Sequence, residues 1–194
     1  MDIRTIAVGP LQANCYILGQ QSALVVDPGD QAQRILDLVS QHNITVSGIL
    51  LTHSHFDHIS ALKELVQCTG ALVYIHHLDF EGLSDNFKNL SAPFGKPLEP
   101  MTADVLLNDG DIVPCDGQNL RILHTPGHTP GSICVYCDQG FLISGDTLFE
   151  NSWGRTDFPG GNPEDMQRSL ERLDREIQSG TKILPGHGRI YIKE

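Results

Sequence analysis

Short apolar runs alternate with amphipathic stretches along this chain, and the period of each run predicts its element. Ile3–Val8, Cys15–Leu18 and Ala23–Val26 are brief and rich in branched residues, so they read as strands. Asp30 then opens a helix, with Gln33 three residues on in a capping-box position. Ile35, Leu38 and Val39 supply its apolar stripe. Val46–Leu51 is a largely apolar run, as expected of a strand covered on both faces. A second helix follows near Ile59 to Cys68, and then a strand at Ala71–Ile75. Further strands are predicted at Asp111–Val113, Asn119–His124, Ser132–Cys137 and Phe141–Ser144. The last helix has Asn162 as N-cap, Pro163 in the first turn, and Glu164 and Asp165 behind it. Met166, Leu170, Leu173 and Ile177 form its buried face, and a strand at Lys182–Leu184 closes the chain. Strands and helices alternate in both halves with no dividing linker. This predicts an α/β protein built as one domain over residues 1–194.

The segment Ser84 to Thr102 breaks the pattern. It is rich in Pro, Gly, Asn and Ser and has no period. Loops of this length are usually functional or mobile, so one reading makes it a flap over a site and the other a surface insertion without a role.

Composition narrows the function. A net charge of −11 excludes a protein that grips phosphate backbones, because that work needs clustered Lys and Arg, so no nucleic-acid partner is expected. It leaves room for a small anionic substrate beside a metal, whose local charge outweighs a distant acidic surface. No apolar run is long enough to span a bilayer, and no membrane partner is expected. The N-terminus has neither the basic start nor the apolar stretch of a signal peptide. The five cysteines are few and scattered, as expected of reduced thiols in the cytoplasm. Cys134 and Cys137 have the spacing of a redox or zinc pair, but residues three apart on a strand face opposite ways, which favours core packing.

The candidate chemistry begins at Thr52-His53-Ser54-His55-Phe56-Asp57-His58, directly after Ile49-Leu50-Leu51. Four potential ligands within six residues sit where an apolar strand gives way to a helix, and α/β folds place their sites at such carboxyl ends. Without a metal, these polar groups would crowd beside the core at a high desolvation cost. Three single candidates repeat the design. His128 lies between two Pro-Gly pairs, Asp146 follows Phe141–Ser144 through Gly145, and His187 follows Lys182–Leu184 within Pro185-Gly186-His187-Gly188. Together they make seven candidates, enough for two ions with room for a bridging water.

The set His53-x-His55-x-Asp57-His58, His128, Asp146 and His187 resembles the metallo-β-lactamase superfamily over nearly the whole chain. The resemblance implies a four-layer αββα sandwich. It also implies that His53, His55 and His128 hold one ion, that Asp57, His58 and His187 hold the other, and that Asp146 bridges them. Zinc is the first expectation for both ions, with iron or manganese also suited to a mixed His/Asp set. Zinc β-lactamases typically carry Cys where this chain has Asp146, and they lack a match for His58. The phrases Gly127-His128-Thr129-Pro130-Gly131-Ser132, Gly145-Asp146-Thr147-Leu148-Phe149 and Gly154-Arg155-Thr156-Asp157-Phe158 look most like the glyoxalase II (hydroxyacylglutathione hydrolase) branch, in its short bacterial form. That branch's C-terminal helical extension has no counterpart here, and its Lys and Tyr glutathione contacts are absent around Arg155–Asp157. Arg155 itself would either meet a substrate carboxylate or pair with Asp157.

The activity the resemblance implies is hydrolysis of a small anionic acyl thioester, S-lactoylglutathione or a relative. The nucleophile would be a hydroxide bridging the two ions, with Asp57 and Asp146 framing it. A thiolate leaving group needs little help from a general acid, so no catalytic Ser, Cys or Lys is required. Two other readings share the ligand set. One is a persulfide (sulfur) dioxygenase with a single iron on His53, His128 and Asp146; the other is a metal-bound binding module without turnover. His42, His76, His77 and His124 match no ligand position.

Overall fold

The computed structural model describes residues 1–194. Six strands follow one another in chain order across the first sheet: β1 (Ile3–Val8), β2 (Ala13–Leu18), β3 (Ser22–Val26), β4 (Thr45–Leu50), β5 (Leu72–His76) and β6 (Val105–Leu107). β1 to β3 are antiparallel neighbours, whereas β3 to β6 run parallel. Parallel neighbours need crossovers. The first of these is α1 (Ala32–Gln41), and the second combines α2 (Phe56–Ile59) with α3 (Leu62–Thr69).

The second sheet holds β7 (Ile112–Cys115), β8 (Gln118–His124), β9 (Ile133–Cys137), β10 (Phe141–Gly145), β11 (Lys182–Pro185) and β12 (Tyr191–Ile192), again in sequence order. Only β10 and β11 are parallel, and α4 (Pro163–Glu176) connects them.

Side-chain alternation along the strands separates three apolar layers. Ile17, Val25 and Ile49 pack with Ile35, Leu62 and Leu65 on the helical side of the first sheet. Tyr16, Leu18 and Val26 point the other way, into Ile122, Val135 and Ile143 of the second sheet. Beyond that, Leu142 and Ile183 meet Leu173 and Ile177 at the end of α4. Helices, sheet, sheet and helix therefore stack in the four-layer αββα sandwich. Cys134 and Cys137 fall in different layers, as their spacing on one strand requires.

Several local expectations are corrected. α1 begins at Ala32 rather than at an Asp30 cap. Gln31 takes a left-handed conformation (φ 54°), Asp30 Oδ1 accepts the Gln31 amide, and Gln33 reaches forward to Asp37. The helix expected over 59–68 is two pieces, α2 and α3. β6, a 3₁₀ segment over His77–Leu83 and the terminal β12 are additional elements. α4 follows its expectation, with Asn162 accepting the Glu164 and Asp165 amides.

Candidate metal centre

Four loops bring the candidate ligands together. His53 to His58 follow β4, His128 follows β8, Asp146 follows β10 and His187 follows β11. Each lies beyond the carboxyl end of its strand, so both sheets deliver side chains to the same edge of the sandwich.

All seven candidates converge. The ligand atoms of His53, His55 and His128 lie within 4.8 Å of one another, as do those of Asp57, His58 and His187. His55 Nδ1 is 2.8 Å from His128 Nε2, and His187 Nε2 is 3.1 Å from Asp57 Oδ2. Asp146 lies between the two groups. Its Oδ1 is 3.5 Å from His58 Nε2, and its Oδ2 is 3.5 Å from His128 Nε2 and 3.6 Å from His187 Nε2.

The histidines are oriented from behind. His58 Nδ1 is 3.0 Å from Asp27 Oδ2, His128 Nδ1 is 2.8 Å from the Arg155 carbonyl, and His187 Nδ1 is 3.0 Å from the Leu11 carbonyl. Carbonyl and carboxylate oxygens only accept, so each Nδ1 donates and each Nε2 is the nitrogen turned inward. His53 Nε2, His55 Nε2 and Asp146 Oδ1 are buried without any hydrogen-bond partner. Orphaned polar atoms are costly in a protein interior. Nitrogen and carboxylate donors left this way fit divalent cations, and the His/Asp cluster is a metal-binding arrangement.

Electrostatics favour the same reading. Burial, with neighbouring imidazoles adding to it, pushes His53 and His55 well below the ordinary imidazole range, which leaves them neutral and ready to bind a metal. At His58 burial also disfavours charge, but the carboxylates of Asp146, Asp57 and Asp27 outweigh it and raise the group to about 10. His187 is raised for similar reasons by Asp57 and Asp146. Asp57 is held below the usual carboxylate range by His58 and His187 despite its burial. The centre thus draws positive charge toward its two carboxylates.

Supporting residues were less visible in the sequence. Asp27 follows β3 and accepts the Thr52 amide (2.8 Å), the Thr52 hydroxyl (2.6 Å) and His58 Nδ1. Its oxygens also lie near His53 and His58, but they are already engaged, so its part is to orient. The run Val25-Val26-Asp27-Pro28-Gly29, an acid at a strand end before a Pro-Gly turn, was the signal for it. Asp79, in the 3₁₀ segment, accepts the Ser54 amide, the Thr129 hydroxyl and the Gly131 amide at 2.8, 2.8 and 2.6 Å; no sequence signal marks it. Asn14 and Tyr16 both donate to the Pro185 carbonyl and so brace the His187 loop. Two glycines let the backbone come close: an added Cβ at Gly29 would overlap the Asp57 carbonyl, and one at Gly154 the Asp146 carbonyl.

A cleft of about 420 Å³ covers the centre, walled by Leu11, Phe56, Leu90, Phe94, Phe149 and Phe158. Leu90 and Phe94 come from the 84–102 segment, which therefore borders the site. Asn89 anchors it by accepting the Phe56 amide on its carbonyl. Arg155 stands at the rim, exposed, forked onto Asp157 at 2.7 and 2.6 Å and lying over the Phe158 ring. His76, His77 and His124 lie away from the centre, with His76 stacked on His124 at 4.2 Å between ring centroids.

Known proteins share this chain's fold and much of its sequence. Residues 8–187 match the model of the metallo-beta-lactamase superfamily. The hydroxyacylglutathione hydrolase GloC of Haemophilus influenzae is 32% identical over 193 residues, covering 97% of this chain and 91% of that protein. The crystal structure of BLEG-1 B3 metallo-beta-lactamase superposes with a TM-score of 0.93 at 33% identity, covering 98% of this chain and 94% of that one. That of TTHA1623 in a di-iron-bound form gives 0.86 at 34% identity, covering 97% and 94%. With fold, site and relatives in agreement, this chain belongs to the metallo-beta-lactamase superfamily of metal-dependent hydrolases.

Proposed function

We propose that this protein hydrolyses small anionic acyl thioesters of the S-lactoylglutathione kind at a centre of two divalent ions. The observation that carries the reading is the convergence of seven candidate ligands, with Asp146 between the two triads. In this reading His53, His55 and His128 hold the first ion. Asp57, His58 and His187 would hold the second, and Asp146, which lies between the two triads, would serve both. Zinc is the ion proposed for the set, and iron and manganese accept the same mixed nitrogen and carboxylate donors. Bound there, the ions supply an activated water at neutral pH and polarise the carbonyl under attack.

The chain's own residues do the rest. Asp27 and the Arg155 and Leu11 carbonyls fix which imidazole nitrogen faces the reaction. The aromatic walls exclude bulk water and hold the acyl group against the centre. No side-chain acid is needed for a thiolate to depart, since thiols ionise near neutrality (roughly pKa 8.5). The relative from Haemophilus influenzae, a hydroxyacylglutathione hydrolase by name, supports this substrate class. The five cysteines are free thiols, which supports a cytoplasmic setting. Residues 1–194 act in this reading as one catalytic domain.

The test is metal analysis joined to an S-lactoylglutathione assay under argon. Two ions per chain with thioester cleavage is the expected result. A single iron per chain, with oxygen consumed on a persulfide, would replace the reading with a dioxygenase. Bound metal without turnover of thioesters, lactones, phosphoesters or β-lactams would leave a binding module.

A further inference from the structure

A second chamber, of about 180 Å³, opens off the metal cleft and shares Leu11, Phe56, Asp57 and Phe94 with it. The Phe56 and Phe94 rings pack at 5.1 Å between centroids and, with the candidate ligand Asp57, line both cavities. The chamber is therefore adjacent to the metal cleft, within reach of a substrate longer than its acyl group.

The charged groups on the chamber lining are distinctive. Of the five lysines in the chain, Lys63, Lys88 and Lys193 are engaged by Glu99, Glu81 and Asp174, and Lys182 lies on β11 in the other sheet. Lys96 faces the chamber without a carboxylate partner. Asp30 also lines it, and its carboxylate accepts the adjacent Gln31 amide on Oδ1. Arg155, the other cation at the cleft, already holds Asp157 with two hydrogen bonds. The chamber thus offers one free ammonium, one available carboxylate and apolar walls shared with the metal cleft.

We infer that this chamber binds the α-amino-acid end of the thiol carrier, with the carrier's carboxylate on Lys96 and its ammonium toward Asp30. The inference rests on the thioester-hydrolase reading and deepens it by assigning the residues that hold the carrier's far end. A neutral thiol would leave both charges unused. A nucleotide-bearing thiol is too large for about 180 Å³, and its several phosphate charges would meet one lysine beside the Asp30 carboxylate. The zwitterion alone matches size and sign, and it moves substrate recognition away from Arg155 to the opposite side of the cleft.

The experiment compares two thioesters of one acyl group on the metal-loaded protein: S-lactoylglutathione, whose carrier ends in an α-amino acid, and the neutral S-lactoyl-N-acetylcysteamine. The readout is the ratio of their kcat/KM values. Lys96→Gln should lower that preference about fivefold, Asp30→Asn should lower it in the same sense, and added salt should erode it in the parent chain. A variant that merely misfolds lowers both activities and leaves the ratio alone. Calorimetry with S-methylglutathione, a thioether that is not hydrolysed, on the metal-loaded protein gives a second readout, with weaker binding expected for Lys96→Gln. A preference and an affinity that both survive the two substitutions overturn the inference. If the parent cleaves the neutral thioester while both readouts ignore Lys96 and Asp30, only the chamber assignment fails. If the parent cleaves neither, the hydrolase reading falls and takes the assignment with it.

Discussion

Asp79 accepts the Ser54 amide at 2.8 Å, and so a buried carboxylate from the 3₁₀ segment is fixed to the middle of the loop that carries His53 and His55. The same carboxylate takes the Thr129 hydroxyl and the Gly131 amide, just beyond His128. One side chain therefore sets the spacing between two ligand loops that belong to different sheets. Asp79→Ala strands three buried donors, each expensive to leave unpaired, and should cost about 3 kcal/mol of stability. Urea unfolding measures the loss, and metal content should fall with it. Parent-like stability would show that the loops are positioned by other contacts.

Asp27 plays the matching part for the second triad. Removing a carboxylate that orients a metal-binding imidazole typically weakens binding by about 10–100-fold. Asp27→Ala should show a loss of that size in competition with a chromophoric chelator, because His58 would lose its Nδ1 partner and Thr52 its anchor. An unchanged affinity would mean that packing alone holds His58.

His58→Ala and Asp146→Ala should lower metal occupancy and hydrolysis together. The two readouts are tied because Asp146 stands between both triads and His58 is its near neighbour at 3.5 Å. Full turnover in either variant would exclude the proposed centre.

Gly29 and Gly154 are predicted to be irreplaceable for reasons of space. Neither has room for a Cβ, since one faces the Asp57 carbonyl and the other the Asp146 carbonyl. Backbone cannot yield as a flexible side chain does. Alanine at either position should therefore destabilise by about 1–3 kcal/mol and displace a ligand. Reduced metal stoichiometry in a folded variant is the expected result, and normal stoichiometry would show the backbone able to move aside.

Acid sensitivity has a source away from the metal centre. Burial, reinforced by His124 and His77, lowers the His76 imidazole from the ordinary 6.5 to about 4. Between those values the unfolded chain binds a proton that the folded chain refuses. Stability should therefore fall as the pH drops from about 6.5 to about 4 and level off below. His76→Gln should flatten this part of the stability curve, measured as urea midpoints across the range. An equal slope in the variant would assign the effect to other groups.

The sequence displayed the ligands more openly than the scaffold that aims them. His53, His55, Asp57 and His58 announce themselves because few structures gather so many imidazoles beside an apolar strand. His128, Asp146 and His187 repeat the pattern at strand ends. Asp79 is silent because its role depends on distant loops meeting at one carboxylate, and nothing local encodes that meeting. β6 is hidden for a related reason: three residues at a sheet edge, emerging from a Pro- and Gly-rich segment, carry no period. At α1 the capping residues read from sequence are used otherwise. Asp30 accepts the Gln31 amide and Gln33 reaches Asp37 instead of closing a capping box. Gln31 accepts the Gly9 amide and an Arg34 guanidinium hydrogen and ties the loop at Gly9 to the helix. Lys96 illustrates the limit, since a lone lysine in a loop acquires meaning only from the chamber it faces.

The ligand loops leave from both sheets, so the centre straddles the seam of the sandwich. Any cation seated there acts as a rivet through the two halves, and its binding free energy adds directly to the work of prying them apart. Chelation then loosens the whole body rather than merely silencing a reaction, and metal supply governs how long each molecule survives.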